Sequence, residues 1–314
     1  MKGKTGVLYT YYLTAYATDK STGAKGYSVA SARTRQTRLN PPAKVAVPVN
    51  QAAGLRLSWS KVAGANGYRV YRKAGSGKYA LAGTIDKGTT LAWTDTAVKS
   101  RSGTTYTYYL TAYATDKSTG AKGYSVASVR TRQTRLTAPG KVKAANTAAG
   151  IKVTWSKVGA TQSYRVYRWT GKTDHTCLGK VSKGVFAFTD KTVKDRNGGD
   201  YTYEVVACSK LGEGVPSAGR KVFRLVPSTM KGAKQSGARK VQVAWARNKA
   251  AAGYTLYRSE NGGKWNRVKA VTPNSALIYT DKGVKAGSTY SYCLRTYKSS
   301  SVSVLSNTVK VKVK

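Results

Sequence analysis

The sequence holds a single histidine, His175, so a Ser–His or Cys–His pair has one place at most to form. Carboxylates are nearly as sparse, 12 in 314 residues. Asp95, Asp190 and Asp281 recur in the same Thr-Asp context, spaced by roughly ninety residues. A glycosidase-type site needs two carboxylates in one place. A solitary Asp in a fixed Thr-Asp context instead suits a side chain closing a turn onto its own backbone. Cys177, Cys208 and Cys293 do not make zinc-ligand spacing with the lone His, and they do not recur as a disulfide framework would. Cys177 and Cys208 share one copy of the repeat and could pair. No phosphate-cradling or dinucleotide-binding glycine pattern opens a helix. The residues point away from catalysis and imply no cofactor and no metal.

The chemistry that does recur is cationic and aromatic. Arg69 and Tyr71 alternate with Tyr68 and Val70, and the stretch Tyr164–Trp169 repeats the pattern through Arg165, Tyr167 and Trp169. Spacing of two puts such residues on one face of a strand. Tyr109 and Tyr113 share the outer phase of a later run, and Arg130 and Arg132 that of the last. Tyr257 and Arg295 keep part of it further on. Arginine offers paired hydrogen bonds to sulfate, phosphate or carboxylate, and tyrosine a stacking surface for sugar rings or bases. The same pairs also suit an exposed sheet face with no ligand.

The elements that must carry these residues are strands. Leu55, Leu57 and Trp59 alternate with Arg56 and Ser58; Tyr106, Tyr108, Leu110 and Ala112 alternate with Thr107, Tyr109 and Thr111. No segment holds a helical stripe. Gly, Asn, Asp and Ser cluster between the runs, as at 63–67, 99–104 and 116–123. The pattern is written three times. LRLSW, IKVTW and VQVAW end at Trp59, Trp155 and Trp245; YRVYR, YRVYR and YTLYR follow; each copy closes on Tyr-x-Tyr at Tyr106, Tyr201 and Tyr290. The Trp spacings, 96 and 90, are those of a small domain rather than a solenoid repeat. Residues 6–39 match 103–136 at all but three positions, so the first 39 residues are expected to be the end of a fourth module. That implies a chain starting in mid-module, as part of a longer array or a truncated reading frame. Such a remnant should form at best a hairpin, less well ordered than the rest, with bare edges able to pair with another chain.

Lys and Arg number 55, giving a net charge of +43. Charge this lopsided attracts polyanions. It is spread along the chain, unlike a basic disordered tail. No run of about 18 apolar residues exists to span a membrane, and the N-terminus lacks a signal-peptide core, so any export signal lies outside this chain. At the C-terminus Lys310, Lys312 and Lys314 alternate with Val309, Val311 and Val313, one face anchoring and the other charged.

Together, Trp in the second strand, Tyr-x-Val/Leu-Tyr in the third and Gly-x-x-Tyr-x-Tyr opening the sixth resemble the fibronectin type III module. The flavour W-S-K-V-x-x-A-x-x-Y-R-V-Y-R is similar to repeats of secreted or wall-attached Gram-positive, often gut, bacterial proteins. The resemblance implies an all-β chain of tandem immunoglobulin-like β-sandwiches in an elongated array, divided at 1–39, 40–136, 137–225 and 226–314. It implies core packing for Trp59, Trp155 and Trp245, and tyrosine corners at Tyr106, Tyr201 and Tyr290 whose hydroxyls bond back to nearby backbone. It also makes the third, sixth and last strands neighbours in one sheet. That gathers Arg69, Tyr71, Tyr109, Tyr113, Arg130 and Arg132 on an exposed face, with Arg165, Tyr167 and Trp169 as the second module's version. The function expected is a secreted or cell-surface spacer and adhesion protein, monomeric, whose partners are anionic glycans or cell-wall polymers, with nucleic acid bound non-specifically in vitro only. Two alternatives stand beside it: a secreted signalling or protein-binding polypeptide engaging a host protein, and an accessory region of a larger glycoside hydrolase or wall enzyme.

Overall fold

The protein's structure is a computed structural model, described for residues 4–171, 174–272, 274 and 276–314. The chain separates into two compact units, one of Met1–Thr137, Val158–Thr161 and Cys208–Val215, the other of Ala138–Lys157, Gln162–Ala207 and Pro216–Lys314.

Period-two alternation becomes strands throughout. In the first sandwich Gly54–Ser58 pairs with Val49–Gln51 on one side and Ala92–Asp95 on the other, making a three-stranded sheet. The facing sheet runs Ala80–Ile85, Gly67–Ala74, Thr105–Thr115, and then Thr131–Thr134 and Lys122–Tyr124, which share the far edge. The second sandwich repeats this with Lys143–Thr147, Gly150–Thr154 and Ala187–Asp190 facing His175–Ser182, Ser163–Trp169, Asp200–Ser209 and Arg220–Phe223. The third does so with Met230–Gly237, Lys240–Trp245 and Ile278–Asp281 facing Asn266–Val271, Gly253–Glu260, Thr289–Lys298 and Val309–Lys312. This is the strand order of the fibronectin type III sandwich, and the third, sixth and last strands are indeed neighbours. Among the described residues the helical content is short 3-10 turns, Thr96–Val98 and Lys191–Val193. No helix among them is long and apolar enough to cross a membrane.

The inward phases fill the cores. Leu55, Leu57, Tyr68, Val70, Tyr108, Leu110 and Ala112 are buried, and Trp59 packs edge-on to Tyr68 with centroids 5.3 Å apart. Trp155 and Trp245 repeat that contact against Tyr164 and Tyr254. These tryptophans are core residues. At the C-terminus Val313 is buried while Lys310, Lys312 and Lys314 are exposed.

Within 1–39, of which residues 1–3 lie outside those described, Leu8–Tyr11 pairs with Thr34–Thr37 and Tyr16–Thr18 with Lys25–Tyr27. Leu13, Tyr16 and Val29 are exposed there, whereas Leu110 and Tyr113, which match Leu13 and Tyr16, are buried.

Two repeated devices escape the sequence pattern. Where the last strand leaves the sixth, serines complete the ladder. Leu110 and Ala112 donate their N–H groups to the hydroxyls of Ser128 and Ser125, and their carbonyls accept from those residues' N–H groups. Leu294 and Thr296 do the same with Ser306 and Ser303, and Val205 with Ser217. A hydroxyl thus replaces a strand carbonyl at a buried N–H.

The second device corrects the turn assignment for the three aspartates. Asp95, Asp190 and Asp281 are almost fully buried. Each takes a guanidinium from the third strand and a phenol from the sixth. Arg72 and Tyr108 reach Asp95 at 2.7 and 2.8 Å; Arg168 and Tyr203 reach Asp190 at 2.8 Å each; Arg258 and Tyr292 reach Asp281 at 2.9 and 3.0 Å. The triad ties one sheet to the other. Asp190 and Asp281 also accept from the N–H groups of Thr192 and Gly283, so a turn contact exists but is the lesser part. Burial opposes ionisation of Asp190, yet the hydrogen bonds from Thr192, Arg168 and Tyr203 hold its carboxyl below the usual range. Burial, with the nearby carboxylate, pushes the three phenols up.

The tyrosine-corner expectation holds at one of its positions. Tyr290 accepts from the Lys285 N–H at 2.9 Å and donates to Glu260. Among the described residues Tyr106 and Tyr201 make no such bond. Their rings lie under Arg72 and Arg168 instead, each 5.7 Å from the guanidinium carbon. Not all the positive charge is at the surface. Arg135 and Arg224 are buried with no carboxylate partner among the described residues, their guanidinia donating to the carbonyls of Lys99 and Gln51, and of Val193 and Thr147. Burial lowers both from the usual arginine range.

Candidate anion-binding face

The outer face of the first sandwich's larger sheet is built by register. Tyr71 stands opposite Tyr109, Arg69 opposite Thr111, and Tyr113 opposite Gly67. The rings of Tyr71 and Tyr109 stack at 4.8 Å and 12°. Tyr79, at the mouth of the next strand, meets Tyr109 edge-on at 4.8 Å. Over this aromatic floor lie cations. Arg130 is 5.6 Å and Lys73 5.3 Å from the Tyr79 ring, Arg69 is 4.5 Å from the Tyr124 ring, and Lys122 is 4.4 Å from the Tyr113 ring. Each such contact is worth about 0.5–1 kcal/mol at an exposed site, enough to orient a side chain without neutralising it. Arg69 Nε and the Tyr79 hydroxyl are buried and have no partner among the described residues.

Of the six residues expected on this face, Tyr71, Tyr109, Arg69 and Arg130 come together. Arg132 is exposed but stands apart, opposite Thr107. Tyr113 points away from the sandwich core as expected, yet it is 2% exposed. Gly67 leaves room beneath its ring, Tyr124 packs on it at 5.9 Å, and its hydroxyl donates to Asp86. Burial first, then Asp86, pushes that phenol up to about 12. The hydrogen bond from Tyr113 in turn holds Asp86 below the usual carboxylate range, with Lys122 3.6 Å away. Tyr113 is therefore a support of the face and not a surface for a ligand. Tyr71 and Tyr109 use ring faces on each other, and the cations lie over Tyr79, Tyr113 and Tyr124 instead. A free stacking platform is a smaller part of the face than the residue types suggested.

In the second sandwich Tyr167 and Trp169 clasp His175, with centroids 4.6 and 4.2 Å from the imidazole and planes within 24° and 21° of parallel. Glu204 lies 3.7 Å from its Nε2. Arg165 is exposed, opposite Lys180. In the third, Tyr257 stands opposite Cys293 and Arg295 opposite Thr255. Tyr79 and His175 fill the same slot, the residue before or opening the fourth strand. The sequence shows no alternation across that turn, so the slot escapes a period-two reading; its signal is the register after the bulge at Val70/Tyr71 and Val166/Tyr167. Cys177 is a free thiol at the surface and does not pair with the buried Cys208. Among the described residues no group of His, Cys, Asp and Glu could hold a metal.

No protein-family model matches the chain, and no curated protein matches it. Among solved structures it is similar to the FN1-FN3 domains of chicken CNTN1, at 17% identity over 88% of this chain and 99% of that one, TM-score 0.34. It is also similar to a two-domain fibronectin type III segment of chicken tenascin, at 16% identity over 56% of this chain and 99% of that one, TM-score 0.28. Scores this low carry no weight of their own; the strand order of each sandwich establishes the fold.

Proposed function

We propose that this chain is a non-catalytic adhesion and spacer array, working outside the cell, that holds anionic polymers such as glycans or wall polymers. One observation carries the reading. On the outer face of the first sandwich Arg69, Lys73, Lys122 and Arg130 each lie over a tyrosine ring. The carboxylate beside them, Asp86, is already engaged by Tyr113 and Lys122. Oriented, under-neutralised cations on a sheet face suit the repeating oxyanions of a polymer better than one discrete ligand. The four cations of this one face can sum weak contacts into retention. The resemblance to repeats of wall-attached bacterial proteins supports the extracellular setting and the division at 39, 136 and 225.

The test is retention on immobilised heparin and on mucin glycans across a salt gradient, with DNA as competitor. The variant Arg69→Ser/Arg130→Ser/Arg132→Ser should elute earlier with an unchanged thermal midpoint. Unchanged retention sinks the assignment of the face.

A further inference from the structure

Within one compact unit, the second and third sandwiches enclose a cleft of about 500 Å³. Asn146, Arg220 and Lys221 form one wall; Arg295, Ser301 and Ser303 line the other. The lining holds Arg220 and Arg295 together with Lys221, whose ammonium is paired with Asp200 at 3.2 Å, and among the described residues no carboxylate reaches either arginine. Its walls are fixed to each other. Asn146 Nδ2 donates to the Val302 carbonyl at 3.1 Å, and the Phe223 N–H donates to the Ser301 hydroxyl at 2.9 Å.

One donor there is unused: Arg295 Nε is buried and has no partner among the described residues. Arg220 lines the cleft and donates its Nε to the Val142 carbonyl at 3.0 Å, which orients the guanidinium. A buried donor without an acceptor costs free energy unless something else accepts. The fold does not require either arginine. Arg220 stands opposite Tyr203, a slot that Thr131 fills opposite Tyr108 in the first sandwich. Arg295 stands opposite Thr255, a slot that Thr111 fills opposite Arg69. Both arginines depart from the repeat at the same cleft, where the two guanidinia line a volume in the range of small-ligand sites.

We propose that this cleft is a discrete binding site for a tetrahedral oxyanion, a sulfate or phosphate group, carried on a single sugar-sized unit. The Arg220 and Arg295 guanidinia, with the Ser301 hydroxyl that accepts from Phe223 and keeps its own proton to donate, match an acceptor with three free oxygens, and the remaining volume takes the carrier. The proposal rests on the polyanion reading for its ligand class, but not for its place in the fold.

The experiment uses the full chain at physiological salt, titrated calorimetrically with N-acetylglucosamine 6-sulfate, N-acetylglucosamine 6-phosphate, the unmodified sugar and inorganic sulfate. One of the two charged sugars should bind at one site, and their order tells sulfate from phosphate. Arg220→Thr/Arg295→Thr, which installs residues the repeat already carries, should weaken binding about tenfold or more, as the loss of charge-assisted bonds predicts. Arg69→Ser/Arg130→Ser should change it less than about twofold, since those residues lie in the other unit. The exposed single variant Arg220→Thr covers the case in which the double variant misfolds. Equal binding by wild type and variant, absence of saturable binding, or binding of inorganic sulfate alone overturns the site. Loss of heparin retention with sugar binding intact would instead sink the polymer face and leave the cleft.

Discussion

Asp190 receives Arg168, Tyr203 and Thr192 at a point where both sheets of its sandwich meet, and its side chain is 1% exposed. Removing its charge would leave the guanidinium facing a neutral amide in a largely desolvated place. Asp190→Asn is therefore expected to cost about 3–5 kcal/mol of stability, read from the denaturant midpoint. The pH dependence has a definite sign. A carboxyl held below its ordinary value of 3.8 contributes in full above that value, and the contribution is lost as pH falls through the lowered one. The wild type should lose stability on acidification below about pH 4 more steeply than Asp190→Asn, which lacks that titration. Equal slopes would show that the triad does not couple folding to protonation. The sequence displayed the aspartate and hid its role. A Thr-Asp dipeptide before a Lys or Thr looks like a turn, and the arginine that completes the triad is the last letter of YRVYR, on the inward phase where a charged residue is least expected.

Alternation was legible in the strands because each sheet has one face in a core, so Leu55, Leu57, Tyr68 and Val70 could be assigned from period two alone. What stayed illegible lies where that period breaks. The far edge of the first sandwich's larger sheet is shared by Lys122–Tyr124 and Thr131–Thr134, and the stretch between them joins the sheet through Ser125 and Ser128. The sequence pattern treats those serines as loop residues, and the Tyr79 slot, beyond a bulge, is hidden for the same reason. Ser128→Ala makes the point measurable. It strips the acceptor from the buried Leu110 N–H, and a loss of about 1–3 kcal/mol is expected. Hydrogen exchange at Leu110 should quicken in step with that loss. Val126, exposed in the same stretch, provides the control: Val126→Ser should cost under about 0.5 kcal/mol.

At the scale of the whole molecule, charge is the property that no single residue explains. Three of the 12 acids are committed to the interior triads, and Asp86 is engaged by its neighbours, so the acids do less to offset the 55 basic residues at the surface than the composition suggests. Binding to a polyanion should follow counterion release, with log affinity falling linearly against log salt. Between about 50 and 200 mM salt, a loss on the order of a thousandfold is expected if six or more contacts are made. Affinity for heparin that ignores salt would point to a protein-like interface and away from the proposed polymer face.

The cysteines turn the fold into a ruler for itself. Cys177 is exposed on the strand beside the Tyr167–His175–Trp169 stack, directly opposite Tyr167, while Cys208 and Cys293 are buried, and burial pushes the Cys293 thiol up to about 11. A maleimide dye should add once to the native chain and three times to the unfolded one, with the second and third additions timing the opening of the sandwiches. A dye placed at Cys177 would also sit against the second sandwich's aromatic face, so its emission would report whatever arrives there.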